Sequence, residues 1–292
     1  MLSISSGKMK ASIWMVLWAS FFSIAMLHNK STSKDASVWM IVWMRAAFGM
    51  LFMIPFLVKE RVSVFKTKCP AIQLARGVFV ACAAMCTYFS FKKLPMPTAG
   101  TINTSCPLFV LVMAAIFLRE KISLKRWGAV VIGYIGILVI CNPKSVALDP
   151  YIVVAVMSNI FVASYVVLAR ILAKNGEKSL TTLFYSSVIS FAIYSAICAF
   201  NWKAPETSDV YHYIIIGACG SALQFCYINA LQFEQASFLA PFEYLRFCMV
   251  LFLGWVYFGE KLSQNTFIGA SFIVFATVLL IVFDRSVERA RA

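Results

Sequence analysis

Phe117-Leu-Arg-Glu-Lys-Ile-Ser123 returns 140 residues further along the chain as Phe258-Gly-Glu-Lys-Leu-Ser263, and this pair of segments decides the fold. Each copy ends a long apolar run. Each is followed by a short apolar run with glycine near its start, Gly128 in one case and Gly269 in the other. We therefore predict that the chain consists of two copies of one helical unit.

The basic residues around the two copies predict their relative orientation. The first copy and its flank carry Arg119, Lys121, Lys125 and Arg126, whereas the second keeps only Lys261. Basic loops favour the cytoplasmic side, so a parallel duplication would have left both loops equally basic. A unit of five membrane helices crosses an odd number of times, which inserts its second copy upside down. Such inverted repeats are typical of secondary transporters.

The composition is that of a chain embedded mostly in lipid. Of 292 residues, 61% are hydrophobic and 13% are charged, with a mean hydropathy of +0.83, whereas soluble domains carry about 25% charged residues. The apolar runs approach the length of about 20 residues that a membrane helix needs, and they lack the alternation of barrel strands. We predict an all-α membrane protein with ten transmembrane helices, over residues 11–27, 38–58, 72–91, 96–118, 127–141, 150–172, 180–200, 211–232, 235–258 and 266–283.

Lysine and arginine in the loops predict the topology. With the amino terminus inside, 15 of these residues fall on the cytoplasmic side and 7 on the outer side. Positive residues favour the cytoplasm, so both termini are predicted to be cytoplasmic. An even number of helices agrees with that arrangement.

Several other classes of protein are excluded by the same distribution. The net charge of +14 comes from short loops between apolar runs, which does not predict a nucleic-acid-binding face. Most of the nine cysteines lie inside apolar runs and form no CxxC pair, so a disulfide framework is not predicted. The chain has no glycine-rich phosphate loop, and neither His28 nor His212 has a second ligand at metal spacing. No cofactor, metal or ATP is therefore expected.

A second pair of segments carries a family resemblance. Leu94-Pro-Met-Pro-Thr-Ala-Gly100 leads through Pro107 to Arg119-Glu-Lys121, and its echo, Gln235-Ala-Ser-Phe-Leu-Ala-Pro241-Phe-Glu-Tyr244, leads through Gly254 to Phe258-Gly-Glu-Lys261. Together these segments resemble the EamA-type transporters of the drug/metabolite transporter superfamily. Within that group the chain is most similar to S-adenosylmethionine uptake transporters of obligate intracellular bacteria.

The resemblance covers nearly the whole chain and implies a ten-helix inverted-repeat fold without ATP-binding parts. It places one EamA-like unit at residues 11–141 and the other at 150–283. Residues 1–10 and 284–292 are then expected to be cytoplasmic tails.

Ionisable residues inside the apolar runs are few, and two in the ninth predicted helix form the centre of the candidate site. Glu243 and Arg246 are three residues apart, share a helix face and lie near mid-depth. Pro241 removes a backbone hydrogen bond just before them. The matching positions in the first repeat hold Asn103 and Cys106. We predict a common centre of carboxylate, amide and guanidinium; the alternative is an internal Glu243–Arg246 pair.

Aromatic residues of the first helix extend this predicted substrate site. Trp14 and Trp18 lie one turn apart, where indole faces can stack an adenine or hold a sulfonium or ammonium by cation–π attraction. The alternative is anchoring at the lipid interface, which suits Trp14 better than Trp18.

The remaining candidates are polar groups in other helices: Tyr88 in the third, Gln224 in the eighth and Tyr244 beside Glu243. For Tyr88 and Gln224 the alternative is ordinary interhelical hydrogen bonding. Arg45 in the second helix either attracts a substrate carboxylate or extends outward to the membrane surface.

These features predict a secondary transporter of a small organic metabolite, and the resemblance implies S-adenosylmethionine uptake across a bacterial inner membrane. Glu243 is expected to hold the cationic part of the substrate and Arg246 to face its carboxylate. The partners are then the small-molecule substrate and the lipid bilayer, with no nucleic acid. An amino-acid or drug efflux carrier on the same scaffold is the alternative. A membrane-embedded enzyme would need a cluster of nucleophiles at one interface, which the loops lack, so enzymatic activity is not predicted.

Overall fold

The computed structural model describes residues 6–32, 36–60, 66–118, 124–141, 149–200, 206–233, 242–261 and 263–291. Within these ranges all regular structure is helical, which confirms the predicted all-α class. The helices are α1 (Ser6–Ser31), α2 (Val38–Glu60), α3 (Pro70–Lys93), α4 (Met96–Thr104), α5 (Cys106–Leu118), α6 (Leu124–Cys141), α7 (Pro150–Lys174), α8 (Ser179–Phe200), α9 (Thr207–Phe233), α10 (Phe242–Phe258) and α11 (Gln264–Arg291).

Six described segments are long and apolar enough to cross a membrane. They are Met9–Ser31, Val38–Pro55, Pro70–Lys93, Met96–Phe117, Pro150–Lys174 and Leu180–Phe200. Val130–Ile140, Leu245–Phe258 and Gln264–Ala276 are shorter apolar helices. These segments agree with a multi-pass membrane protein, while the count of ten crossings stays a prediction. Helix α11 continues to Arg291, so the tail expected from residue 284 is helical as far as the structure describes it.

The fourth predicted helix is one crossing made of two helical segments. α4 ends at Thr104 and α5 begins at Cys106, with Ser105 between them. Pro107 has no backbone N–H, so the regular hydrogen-bond ladder cannot continue through this point. The N–H of Ser105 donates instead to the carbonyl of Ile102, at 3.1 Å. The apolar span Met96–Phe117 agrees with the predicted crossing over 96–118, while the break at its middle was not predicted.

Helices of the first half pack mainly against helices of the second half. α1 packs against α9 and α10, α3 against α7 and α8, α2 against α8 and α9, and α6 against α11. When α1 is matched with α7, α2 with α8 and α3 with α9, each contact has a counterpart: α1 on α9 corresponds to α7 on α3. Two related units that face each other are expected to show this pattern, although the inverted repeat itself stays a prediction.

The contacts define two ends of the helical bundle. At the Glu260 end, α10 finishes beside the start of α4, where the N–H of Met96 donates to Oε2 of Glu260 at 2.7 Å. α4 and α10 therefore run in opposite directions. At the Glu177 end, α7 finishes beside the segment before α3, where the hydroxyl of Thr67 donates to Oε1 of Glu177 at 2.9 Å.

The same three residues, Gly-Glu-Lys, follow the last turn of helix at both ends. Gly176 has φ of 77° and Gly259 has φ of 63°, a left-handed conformation that favours glycine. At the first of these ends the N–H of Glu177 donates to the carbonyl of Leu172, five residues earlier, at 3.1 Å, which is the Schellman cap. At the other end the N–H of Gly259 donates to the carbonyl of Trp255 at 3.0 Å, which is the simpler αL cap, and the N–H of Glu260 donates to the carbonyl of Gly254 at 3.2 Å. Each cap places one carboxylate directly beyond its helix.

Helices α6 and α11 cross at two glycines. A Cβ on Gly136 would lie 2.7 Å from the carbonyl oxygen of Gly269, and a Cβ on Gly269 would lie 2.6 Å from that of Gly136. Only hydrogen fits at either position, so the two backbones are in direct contact, as is common between membrane helices. Gly128, which the sequence pattern also pointed to, would meet nothing within 4 Å.

Candidate functional site

Arg246 of α10 is buried against two aromatic rings of α1. Its guanidinium carbon lies 5.1 Å from the ring centre of Trp18 and 4.6 Å from that of Phe22. Trp18 and Phe22 are stacked on each other, with ring centres 6.3 Å apart. Cation–π contacts of this kind contribute about 2 kcal/mol when they are desolvated. Two of the predicted site residues, Trp18 and Arg246, are therefore in direct contact.

Three other predicted site residues have side chains outside the described part of the structure. Glu243 and Tyr244 lie in the first turn of α10, and Gln224 lies in α9. Pro241 lies outside the described residues altogether. The predicted Glu243–Arg246 pair thus stays a prediction.

Trp14 packs between α1 and α9. Its ring meets that of Phe225 edge-on, with centres 5.6 Å apart and an angle of 89° between the planes. The side chain is half-buried and belongs to the small apolar cluster that also contains Trp18. The structure therefore places Trp14 one turn away from the contact between Trp18 and Arg246.

Tyr88 of α3 belongs to the main buried core and lies beside Arg45 of α2. The Tyr88 side chain is 3% exposed. The guanidinium carbon of Arg45 lies 5.8 Å from the centre of its ring. The guanidinium of Arg45 thus lies against a buried ring, although the Arg45 side chain as a whole is partly exposed.

Asn103 is half-buried in the last turn of α4, next to the break between α4 and α5. Asn159 of α7, which the sequence analysis did not select, donates hydrogen bonds to the residues at this break. Its Nδ2 donates to the carbonyl of Ile102 at 2.7 Å and to the hydroxyl of Ser105 at 3.1 Å. The signal that could have identified Asn159 is its polar amide in the middle of the apolar run over 150–172.

An ion pair joins the two halves of the chain at the Glu260 end. Lys30 of α1 forms a salt bridge with Glu260, and its Nζ also donates to the carbonyl of Leu94 at 2.8 Å. Both side chains are mostly buried, 15% and 18% exposed. The sequence counted Lys30 only as a basic loop residue, because nothing in the spacing of the two residues predicts their contact.

The carboxylate at the Glu177 end has neutral partners. Oε1 of Glu177 accepts hydrogen bonds from the hydroxyl of Thr67 and from the N–H of Lys68. Burial alone would raise the pKa of the Glu177 carboxyl, but the hydrogen bonds from Lys68 and Thr67 outweigh it and hold that pKa below its usual value. Ionised Glu177 is thus the form that this end of the bundle stabilises.

The two histidines of the chain meet, a contact that the sequence analysis did not predict. Nδ1 of His28 lies 2.8 Å from Nδ1 of His212, so one imidazole donates a hydrogen bond to the other. The two residues are 184 positions apart, which is why spacing in the sequence did not bring them together. Among the described residues, no group of three or more His, Cys, Asp or Glu side chains is arranged to hold a metal ion.

The sequence pattern of the EamA-like transporter family matches residues 9–142 and 149–282. An S-adenosylmethionine uptake transporter of Rickettsia bellii (strain RML369-C) is 26% identical over 244 residues, covering 82% of this chain and 82% of the relative. A riboflavin transporter of Brucella anthropi is 25% identical, covering 82% and 86%. The pseudopaline exporter CntI of Pseudomonas aeruginosa (strain UCBPP-PA14) is 24% identical, covering 93% and 96%.

The fold is also similar to a solved structure, described only as a crystal structure of protein. That structure superposes with a TM-score of 0.64 at 15% sequence identity, over 98% of this chain and 100% of the other. At this level of identity the likeness concerns the fold alone.

Proposed function

Since this chain belongs to the EamA-like transporter family, we infer that it is a secondary transporter that carries S-adenosylmethionine into the cell. Family membership supports the coarser statement, a multi-pass membrane transporter of a small metabolite. Its relatives are transporters of S-adenosylmethionine, riboflavin and pseudopaline, so the family alone does not select a substrate.

The observation that carries the proposal is the position of Arg246 on Trp18 and Phe22. The rings lie against the guanidinium at 5.1 Å and 4.6 Å. A guanidinium that is stacked on aromatic faces still has N–H groups in its own plane, which bind a carboxylate in a bidentate fashion. Arg246 can therefore hold a substrate carboxylate while Trp18 offers an aromatic surface to the rest of the molecule.

S-adenosylmethionine matches the chemistry of such a site. It carries a carboxylate, an ammonium, a sulfonium and an adenine. In the proposed arrangement Arg246 binds the carboxylate, Glu243 on the preceding turn faces the cationic part, and the adenine stacks on aromatic side chains near Trp18. Four relatives from Rickettsia with 25% or 26% identity are named for this substrate.

The proposed transporter lies in a bacterial inner membrane with both termini in the cytoplasm. Transport is driven by exchange or by an ion gradient, because the sequence has no nucleotide-binding loop. The Glu260 end of the bundle then faces outward and the Glu177 end faces the cytoplasm.

A second candidate function is efflux of a carboxylate-bearing metabolite on the same scaffold. The likeness to a pseudopaline exporter, which extends over 93% of this chain, favours it. Uptake and efflux use the same binding groups, so the direction of net flux is what separates the two.

The test is uptake of radiolabelled S-adenosylmethionine by cells that express the protein, compared with cells carrying an empty vector. Saturable uptake is expected, with Trp18→Leu weakening the apparent affinity about tenfold, because about 1.4 kcal/mol of stacking or cation–π contact is lost. Trp255→Leu is the matched control, since Trp255 is 60% exposed on the same helix as Arg246. Uptake no higher than in vector cells, in both intact cells and proteoliposomes, would refute the substrate.

A further inference from the structure

The charges inside the membrane-spanning helices are unequal. Arg45, Arg76 and Arg246 lie within apolar helices, whereas Glu243 is the single acidic residue of the sequence at comparable depth. A charge in this position is costly unless it is paired, hydrogen-bonded or in contact with a cavity. One carboxylate cannot neutralise three guanidinium groups, so at least two of these arginines need other partners.

Two of the three arginines have described partners within the protein. Arg76 donates to the carbonyl of Thr182 at 3.1 Å and to the hydroxyl of Ser186, and its guanidinium lies 5.6 Å from the ring centre of Tyr165. Arg246 lies on Trp18 and Phe22. The buried guanidinium of Arg76 therefore has neutral oxygen atoms of the protein as hydrogen-bond acceptors.

Arg45 differs, because no carboxylate of the described residues forms an ion pair with its guanidinium. It sits about 10 Å from the start of α2 by helical rise. Its stem runs close to Gly220 of α9, where an added Cβ would lie 2.9 Å from its Cγ and 3.1 Å from its Nε. Because Gly220 has no side chain, the aliphatic part of Arg45 can pack directly against α9 at this point.

Tyr88 adds a second polar group at the same place. Its ring lies under the Arg45 guanidinium, and its hydroxyl is buried without a hydrogen-bond partner among the described residues. A buried phenol that lacks an acceptor is unfavourable, by about 1–3 kcal/mol. Arg45 and Tyr88 are therefore neighbouring polar groups: Arg45 lacks an opposite charge among the described residues, and the proton of the Tyr88 hydroxyl lacks an acceptor there.

We propose that Arg45 and Tyr88 form an anion subsite that takes the carboxylate of the transported solute, in addition to Arg246. A carboxylate supplies the acceptor that the Tyr88 hydroxyl lacks and the negative charge that Arg45 lacks. The proposal rests on the function proposed above and narrows it. The solutes of this transporter carry a free carboxylate, and a solute without one leaves Arg45 uncompensated.

The test compares S-adenosylmethionine with decarboxylated S-adenosylmethionine, which keeps the sulfonium, the amine and the adenine. Binding to purified protein is measured for wild type, Arg45→Gln and Tyr88→Phe. Arg45→Gln is expected to weaken S-adenosylmethionine about tenfold to a hundredfold, and Tyr88→Phe about threefold to tenfold. Neither substitution is expected to change the affinity for the decarboxylated molecule. Equal losses for both ligands, or no loss for either, would overturn the proposal.

A pair of glycine substitutions tests the position of Arg45 without removing its charge. Gly220→Ala puts a methyl group against the Arg45 stem and is expected to weaken S-adenosylmethionine selectively, with the decarboxylated ligand unaffected. Gly49→Ala is the matched control in α2, because a Cβ there meets nothing within 4 Å. Arg45→Lys, which keeps the charge, is expected to restore part of the affinity that Arg45→Gln loses.

A second measurement tests the Arg45 subsite independently of whether S-adenosylmethionine is the substrate. Thermal stabilisation of wild type and Arg45→Gln is recorded with a panel of amino acids and their carboxamides. A carboxylate that stabilises wild type, but neither its amide nor Arg45→Gln, supports the subsite even if S-adenosylmethionine does not bind. If S-adenosylmethionine binds and Arg246→Gln alone abolishes the preference for its carboxylate, the Arg45 proposal fails while the proposed function stands.

Discussion

Gly176-Glu177-Lys178 and Gly259-Glu260-Lys261 both end a helix with a left-handed glycine, yet their glutamates have different partners. Glu260 pairs with the ammonium of Lys30 and accepts from the N–H of Met96. Glu177 accepts only neutral donors in the described structure, the hydroxyl of Thr67 and the N–H of Lys68. The local sequence places a carboxylate just beyond each helix. The segment packed against that carboxylate determines whether it pairs with an opposite charge or accepts hydrogen bonds from neutral donors.

The difference concerns how firmly the two ends are held. At the Glu260 end, one carboxylate joins α1, α4 and α10, and the opposite charge of Lys30 adds a direct attraction to its hydrogen bonds. At the Glu177 end, the carboxylate joins the end of α7 to the segment before α3 without an opposite charge. We expect the Glu260 end to be the more firmly closed of the two in this conformation.

The largest expected effect concerns the side of the membrane on which each cap lies. In a Cys-free variant, Lys261→Cys is expected to react fully with a membrane-impermeant thiol reagent in intact cells, and Asn175→Cys not at all. Both positions are exposed, and the count of basic loop residues predicts opposite sides. Permeabilised cells serve as the control in which both must react. Equal reaction in intact cells would contradict the inverted arrangement.

The next largest effect is expected from Glu260→Gln. This change leaves the Lys30 ammonium without its charged partner in a largely buried position, which costs about 1.5–3 kcal/mol. We expect an apparent shift of about tenfold or more towards the conformation that is open at this end, measured as faster labelling of Cys198 by a thiol reagent in a variant that keeps only this cysteine.

Glu206→Gln is the control for the Glu260 substitution. Glu206 is exposed beside the start of α9 and takes part in one long contact, 3.4 Å, with the hydroxyl of Ser208. The Glu206→Gln substitution removes one negative charge near the same end without breaking an ion pair of the described residues. Equal labelling in both variants would mean that net charge, and not the Lys30 pair, closes this end.

A smaller effect, with a defined pH dependence, is expected from Glu177→Gln. The folded-state pKa of Glu177 is lowered, so its stabilisation is present above the usual value of 4.5 and is lost as the pH falls through the folded-state pKa. Wild type should therefore melt slightly above Glu177→Gln at neutral pH, and the difference should disappear in acid, once the pH falls below the folded-state pKa of Glu177. A difference in melting temperature that grows on acidification would contradict the hydrogen-bond pattern.

The smallest effect is expected from the glycines that open the caps. Gly176→Ala and Gly259→Ala each force a left-handed conformation on alanine, at a cost of about 1–2 kcal/mol. Because the two φ angles are similar, 77° and 63°, the two losses in thermal stability should also be similar. Unequal losses would show that the caps themselves, and not only their partners, differ.

The sequence predicted features that depend on local composition. The apolar runs gave the helices to within a few residues, for instance 150–172 against the observed Pro150–Lys174. Pro107 marked the break between α4 and α5, even though the helix was predicted to be continuous. The family resemblance rested on segments that repeat, and the family match over both halves of the chain confirms it.

The contacts between distant segments were outside the reach of sequence reasoning. His28 and His212 are 184 residues apart, and Lys30 and Glu260 are 230 apart. Each contact depends on how α1 packs against α9 and α10, and a single sequence carries no spacing that encodes this packing. Arg246 and Trp18 were both selected as site candidates because polar and aromatic groups at mid-depth need a partner, but their contact with each other was not predicted, and their role in binding stays a prediction.

The anchoring of Arg45 and Arg246 on aromatic rings has an electrical consequence. Because each guanidinium is held by another helix, its charge stays with the protein, and only the charge of the solute crosses the membrane potential. That potential contributes about 2.3 kcal/mol per elementary charge per 100 mV. If the proposed sites bind solute, we expect a solute with a net positive charge to be pulled towards an electrically negative cytoplasm and an anionic solute to be driven out. On this proposal the same pair of fixed charges serves import or export, and the voltage favours one of the two directions.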